Sequence, residues 1–249
     1  MSSGGAEMFA RYAYEPNRLG YCGPPGAAAL RDGSDEQVRA VARRFSGAWP
    51  YLQVMATMTG IADPLDRRLV ESYWLGGGVG AALDPAEFTA ELLALLGPVA
   101  GGYWTHLTPQ LAEEAGANHC FHVFGVYPWS RLLGHGHEYP LHVLDSCRIT
   151  WGTVLDRTGN EIGLRCRRLG WDGQRLALSP ESVQPVPIRV DGYAAVPDVS
   201  VGERVAVHWG RLCGRLDAVQ VRGLEAMTTR QLEVTNRRLA RSTARPVTR

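Results

Sequence analysis

The chain has 249 residues, 45% of them hydrophobic and 20% charged, with a formal net charge of +1. This balance excludes bulk disorder and leaves room for one good core or two smaller ones. The charge is unevenly spread: residues 1–140 carry 9 arginines against 14 acidic groups, and residues 141–249 carry 17 against 11, with no lysine anywhere. No run of 18 apolar residues predicts a membrane-spanning helix, and no charged stretch followed by an apolar one opens the chain. Five scattered cysteines without a CxxC pair read as reduced thiols, so the expected compartment is the cytoplasm and a finger-type zinc site is not expected.

The chain opens on "FARYAYEPNRLGYCGPPG", Phe9 to Gly26. No simple period is evident there, and its glycines and prolines predict a built loop with fixed turns. Helical signals follow. Ser34 and Gln37 form a capping box before Val38, Val41, Ala42 and Phe45, with Gly47 as the stop. Leu52, Met55 and Met58 repeat at helical spacing. Asp63–Pro64 predicts the next start, with Leu65, Leu69 and Tyr73 or Trp74 inward. "GGGVG", Gly76 to Gly80, has no preceding strand and no following helix with an acidic residue; it reads as a flexible junction, not a dinucleotide site. Asp84–Pro85 starts another helix with Phe88, Leu92, Leu95 and Leu96 packed, ending at Gly97–Pro98. Thr108–Pro109 opens a short one to about Ala115.

From Leu141 the pattern turns to strand. Val143, Asp145, Cys147, Ile149 and Trp151 share one parity. "RTGNE" and "DG" are turns between short strands, and "VSVGERVAVHW" is a turn followed by another strand. "GLEAMTTRQLEVTNRRLARS" returns to helix on Leu224, Met227, Leu232 and Leu239, and the final "TARPVTR" is expected to fray. The fold class is therefore α+β: a mainly helical part (1–140), a small antiparallel β-sheet or partial barrel (141–215), and a closing helix with its tail (216–249).

Chemistry concentrates in "NHCFHVFGVYPWSRLLGHGHEYPLH", with His119, Cys120, His122, Tyr127, Trp129, His135, His137 and His142. Imidazole binds divalent metals and haem iron and titrates near neutrality. On a helix, His119 and His122 face one side and can share an ion; on a strand they point apart. Residue types favour both readings. As catalytic candidates we take His122, Tyr127, Tyr21 and Cys120. The cofactor-binding candidates are His119, Trp129 and Asn17, and the metal candidates are His119 and His122. The opening segment with Tyr12, Tyr14, Asn17, Tyr21 and Cys22 is either a packing clamp or one wall of a pocket faced by His119–Trp129. That pocket is expected to place Asn17 and Tyr21 beside the histidines.

At "FARYAYEPNRLGYCGP", "HCFHVFGVYPWSRLL", "VLDSCRITWGTV" and "ERVAVHWGRLCGRL" the chain resembles a family of uncharacterised, mainly actinobacterial proteins, some encoded near nickel–iron hydrogenase genes. The resemblance covers nearly the whole chain. It departs at Gly214, where the family pattern has an acidic residue after the cysteine. It implies an accessory or maturation role touching a metal or haem. Two functional expectations follow. One is an enzyme or redox accessory protein with haem or a divalent transition metal and a small-molecule ligand. The other is a non-enzymatic assembly factor whose basic half docks an acidic partner protein, or a homodimer. Neither nucleic acid nor membrane is expected as a partner.

Overall fold

A computed structural model describes residues 4–26, 28–99, 104–134 and 136–243. Helices fill the first half: α1 (Gly5–Arg18), α2 (Ala29–Asp32), α3 (Asp35–Ala42), α4 (Ala48–Thr59), α5 (Arg67–Leu75), α6 (Pro85–Leu96), α7 (His119–Phe121) and α8 (Tyr139–Cys147). Strands β1 (Thr150–Thr158), β2 (Glu161–Cys166), β3 (Leu169–Trp171), β4 (Leu176–Leu178), β5 (Ser182–Pro187), β6 (Arg204–His208) and β7 (Arg211–Arg215) follow, and α9 (Ala218–Thr243) closes the chain. The α+β architecture is the expected one. The terminal residues expected to fray lie outside the described residues after Thr243.

Local signals account for most helix ends. Ser34 and Gln37 form the reciprocal capping box, and Asp84 takes the amides of Ala86 and Glu87 with Pro85 in the first turn. Four expectations need correction. First, α5 starts at Asp66, whose carboxylate takes the Arg68 amide; Asp63 takes the Leu65 amide in a preceding turn. Second, α3 stops at Ala42, before Gly47. Third, Leu95 is exposed on α6. Fourth, Gly78–Ala82 is a short 3-10 helix, ordered because Ser72 Oγ donates to the Gly77 carbonyl and accepts the Gly80 amide.

The opening segment is helical through Arg18. Phe9, Tyr12, Ala13 and Pro16 are all buried and recur at the helical period, which the density of tyrosine, glycine and proline conceals. Built turns begin only at Leu19. The expected alternation from Leu141 is also overturned: Tyr139–Cys147 is helix α8, with Pro140 in its first turn and Val143, Leu144 and Cys147 buried. Its apparent alternation is a coincidence of an apolar helical face, and β1 begins at Thr150.

The main sheet is antiparallel, in the order β5-β2-β1-β6-β7, and curls so that its edge strands β5 and β7 approach one another. Its concave face packs Val154, Ile162, Leu164, Val186, Val205 and Leu212 into a small second core. The strands β3 and β4 form a separate hairpin. Helix α1 bridges the two halves. It packs on α3 and α5 and reaches β6 and β7. Glu15 on α1 accepts from buried Arg211 of β7 at 2.9 Å, and Arg211 also donates to the carbonyls of Val190 and Tyr193. Removing either partner of such a buried pair would leave an uncompensated charge, so it ties α1 to β7.

Candidate metal centre

The site lies where α1, α5, α7, α8 and the β6–β7 turn converge. Asn118 caps α7 by accepting the Phe121 amide, and a π turn (His122–Val126) continues it. Helical spacing therefore puts His119 and His122 on one side, with ring centroids 5.6 Å apart. Both rings are buried, and the Tyr73 hydroxyl sits between them, 3.1 Å from Nδ1 of His119 and 3.3 Å from Nδ1 of His122.

Helix-end chemistry orients the imidazoles. Cys147 is the last residue of α8, so its carbonyl has no partner within the helix; it accepts from Nε2 of His119 at 2.9 Å. Pro16 lies four residues after Tyr12 in α1 and has no N–H, which leaves the Tyr12 carbonyl free. Nδ1 of His208 donates to it at 2.7 Å.

These contacts determine the neutral tautomers. A carbonyl can only accept, so His119 carries its proton on Nε2 and His208 on Nδ1. Nδ1 of His119 must then accept from Tyr73, and the Tyr73 oxygen accepts from Nδ1–H of His122. Two nitrogens are left bare: Nε2 of His208 and Nε2 of His122. The first is buried and makes no hydrogen bond of ordinary geometry among the described residues, with the Cys147 carbonyl nearby. The second lies against Gly47 beside the Tyr127 hydroxyl; a Cβ added at Gly47 would sit 3.0 Å from Nε2 and 3.1 Å from that hydroxyl.

One ligand atom from each of His119, Cys147 and His208 lies within 4.8 Å of the others. Cys147 Sγ is 3.9 Å from Nε2 of His119. A tetrahedral zinc with ordinary Zn–N and Zn–S bonds separates such atoms by about 3.5 Å. The buried His/Cys/His cluster can thus coordinate a metal after a small contraction, and its donor set suits zinc or another first-row ion. Burial holds all three imidazoles neutral: His208 is pushed down to about 4 and His122 to about 3, while His119 lies well below its usual range, lowered further by the neighbouring His208 and His122. Burial lifts the Cys147 thiol to about 12, with the Trp209 indole acting against it. A bound cation would deprotonate such a thiol.

The cluster faces a cavity of about 300 Å³ walled by aromatic rings, among them Tyr21, Tyr73, Trp74, Trp104, Trp129 and Trp209. Trp74 stands 4.6 Å from the His119 ring and 5.5 Å from the His208 ring. The Trp74 indole N–H is buried and, like Nε2 of His208, has no hydrogen-bond partner among the described residues, while the Trp209 indole N–H is directed at the Cys147 thiol. Trp209 has φ +52° in the two-residue turn joining β6 to β7, followed by Gly210 at +73°. Positive φ at a non-glycine residue costs about 1–2 kcal/mol. The fold holds this strained tryptophan against Tyr21, with ring centroids 3.8 Å apart.

The sequence candidates separate clearly. His119, His122, Tyr21, Tyr127 and Trp129 line the cavity together with Cys22. Asn17 and Cys120 are not among its lining. The Asn17 amide donates to the carbonyls of Cys22 and Pro24, so it shapes the turn that carries Tyr21. Cys120 is buried, with its thiol raised to about 12 by desolvation, and Thr228 of α9 is its hydrogen-bonding neighbour. His137 and His142 line a separate hollow beside Asp145 and Arg168, and His135 lies outside the described residues. Cys147, His208, Tyr73, Trp74 and Trp209 were missed as site residues. The one available signal for His208 and Trp209 was the large aromatic where a two-residue hairpin turn favours asparagine and glycine.

Residues 1–242 match a family described as a family of unknown function, DUF6390. The chain belongs to this family. No curated protein and no solved structure matches it.

Proposed function

We propose that the protein is a metal-dependent enzyme acting on a small molecule that enters the aromatic cavity. His119 Nε2, Cys147 Sγ and His208 Nε2 hold a divalent first-row ion. The observation that carries this is the bare, buried Nε2 of His208, whose other nitrogen is locked on the Tyr12 carbonyl. A carbonyl on the far nitrogen is the usual support of a metal-binding histidine. Three protein ligands leave a coordination position open, as in catalytic rather than structural sites. The ion would supply Lewis acidity. A cavity of about 300 Å³ is at the small end of ligand pockets, which favours a bare ion with a small partner over a haem macrocycle.

The histidine–tyrosine chain responds to this ligation. With Nε2 of His119 committed to an ion, its proton resides on Nδ1. Tyr73 then accepts from His119 and donates to Nδ1 of His122. The Nε2 of His122, bare in the other arrangement, becomes an N–H donor beside Tyr127. His122 and Tyr127 thus serve as the proton-handling groups of the cavity.

Tag-free protein should take up one equivalent of zinc or cobalt(II), the latter with a near-ultraviolet thiolate-to-cobalt band. His208→Ala and Cys147→Ser should lose the stoichiometric ion and the band. A protein that takes up no ion, or a His208→Ala variant that keeps a full equivalent, overturns the reading. A second reading, an assembly or maturation factor, draws on the −5/+6 charge split between the halves. A salt-sensitive protein partner co-purifying with the metal-free His208→Ala variant would favour it.

A further inference from the structure

The convex side of the main sheet, opposite its small core, meets the first turns of α9 in a cleft of about 800 Å³. Its floor is a cross-strand row. Thr153 of β1 pairs with Arg165 of β2 on one side and with Arg204 of β6 on the other. Trp151, two residues before Thr153, lies on the same face, half-buried. Arg222, Glu225 and Thr229, at helical spacing, form the wall contributed by α9. Five arginines line the cleft against two glutamates, Glu181 and Glu225.

Internal partners absorb only part of this charge. Arg148 is committed to Asp145, and Arg167 donates to the Ser179 carbonyl. Arg165 reaches exposed Glu181 at 3.5 Å. Arg204 and Arg222 have no acidic partner among the described residues. Like charges kept close on one sheet face weaken it, so packing gives no reason to gather them. Two strand spacings, roughly 10 Å, separate the Arg165 and Arg204 backbones. Long side chains from either end can close on one anion between them.

We propose that this cleft binds a nucleoside di- or triphosphate. Guanidinium groups fork onto phosphate oxygens, and the cleft offers several from different elements. The half-buried Trp151 indole gives a base a face to stack on, and Thr153 and Thr229 add hydroxyls. The volume lies within the range of ligand pockets and is ample for a nucleotide. This site is separate from the histidine cavity and shares none of its lining residues.

The test is calorimetry on the full chain in chelator, so that the metal centre has no part in the result. ATP, ADP, pyrophosphate and adenosine are the probes. ATP and ADP should bind at one site, pyrophosphate at least tenfold more weakly, and adenosine not measurably. Arg204→Gln with Arg222→Gln should weaken ATP tenfold or more. Trp151→Phe should weaken ATP several-fold and leave pyrophosphate unchanged. No ATP binding overturns the proposal, as does pyrophosphate binding as tightly as ATP. Nucleotide affinity indifferent to the arginine variants, or a poly-glutamate peptide that binds where nucleotides do not, also overturns it.

Discussion

The histidine cavity and the arginine cleft place their polar groups under opposite conditions. In the cavity, the histidine rings are buried and held neutral, and a hydrogen bond missing there carries a cost. In the cleft, apart from buried Arg148, the arginines are exposed to water, where an unpaired guanidinium costs little. An orphaned atom is therefore informative in the first place and weakly so in the second. Nε2 of His208 and the indole N–H of Trp74, buried with no partner among the described residues, are atoms that a ligand in the cavity would satisfy. In the cleft, the number of guanidinium groups and the concave shape must make the argument together.

Acid should expose this contrast most strongly. The folded-state values of His208 and His122 lie below the ordinary histidine value, so the unfolded chain binds more protons between about pH 6.5 and about pH 4. Stability of the metal-free protein should be full above this window and fall as pH drops through it. The slope is roughly 1.4 kcal/mol per pH unit for each such histidine, and His119 acts in the same direction. Denaturant titrations across pH 7 to 4 measure it; a flat profile would mean that these rings are not buried neutral. Arginines stay charged throughout and should add nothing.

A smaller effect separates the cavity's chain of hydrogen bonds from its packing. Tyr73→Phe keeps the ring and leaves Nδ1 of both His119 and His122 without their shared partner. We expect a loss of about 1–3 kcal/mol, read by chemical denaturation, with the His122 tautomer no longer coupled to metal uptake by nitrogen NMR. The smallest effect belongs to the cleft. Arg204→Gln with Arg222→Gln should change stability by no more than about 0.5 kcal/mol, since neither guanidinium has an acidic partner among the described residues. A loss of several kcal/mol there would show that the arginines hold the fold and are not available to a ligand.

Local signals made much of the fold legible: the capping box at Ser34, the Asp84–Pro85 start, the "RTGNE" turn and the long last helix. Each depends on neighbours a few residues apart, and chain order alone specifies them. The histidine-rich segment and the Tyr21 loop were also visible as unusual chemistry. Tertiary structure decided which of these groups meet. His119 finds Cys147 and His208 from two later elements, and Tyr73 from an earlier one. Cys120, adjacent in sequence, faces α9. Pro16 looked like a loop former; in the folded chain it sits in α1 and frees the carbonyl that sets the tautomer of a histidine 192 residues away. Spacing along the chain determines which way a side chain leaves its own helix or strand. What it meets depends on how α1, α5, α8 and the β6–β7 turn pack together, and burial there makes each meeting specific.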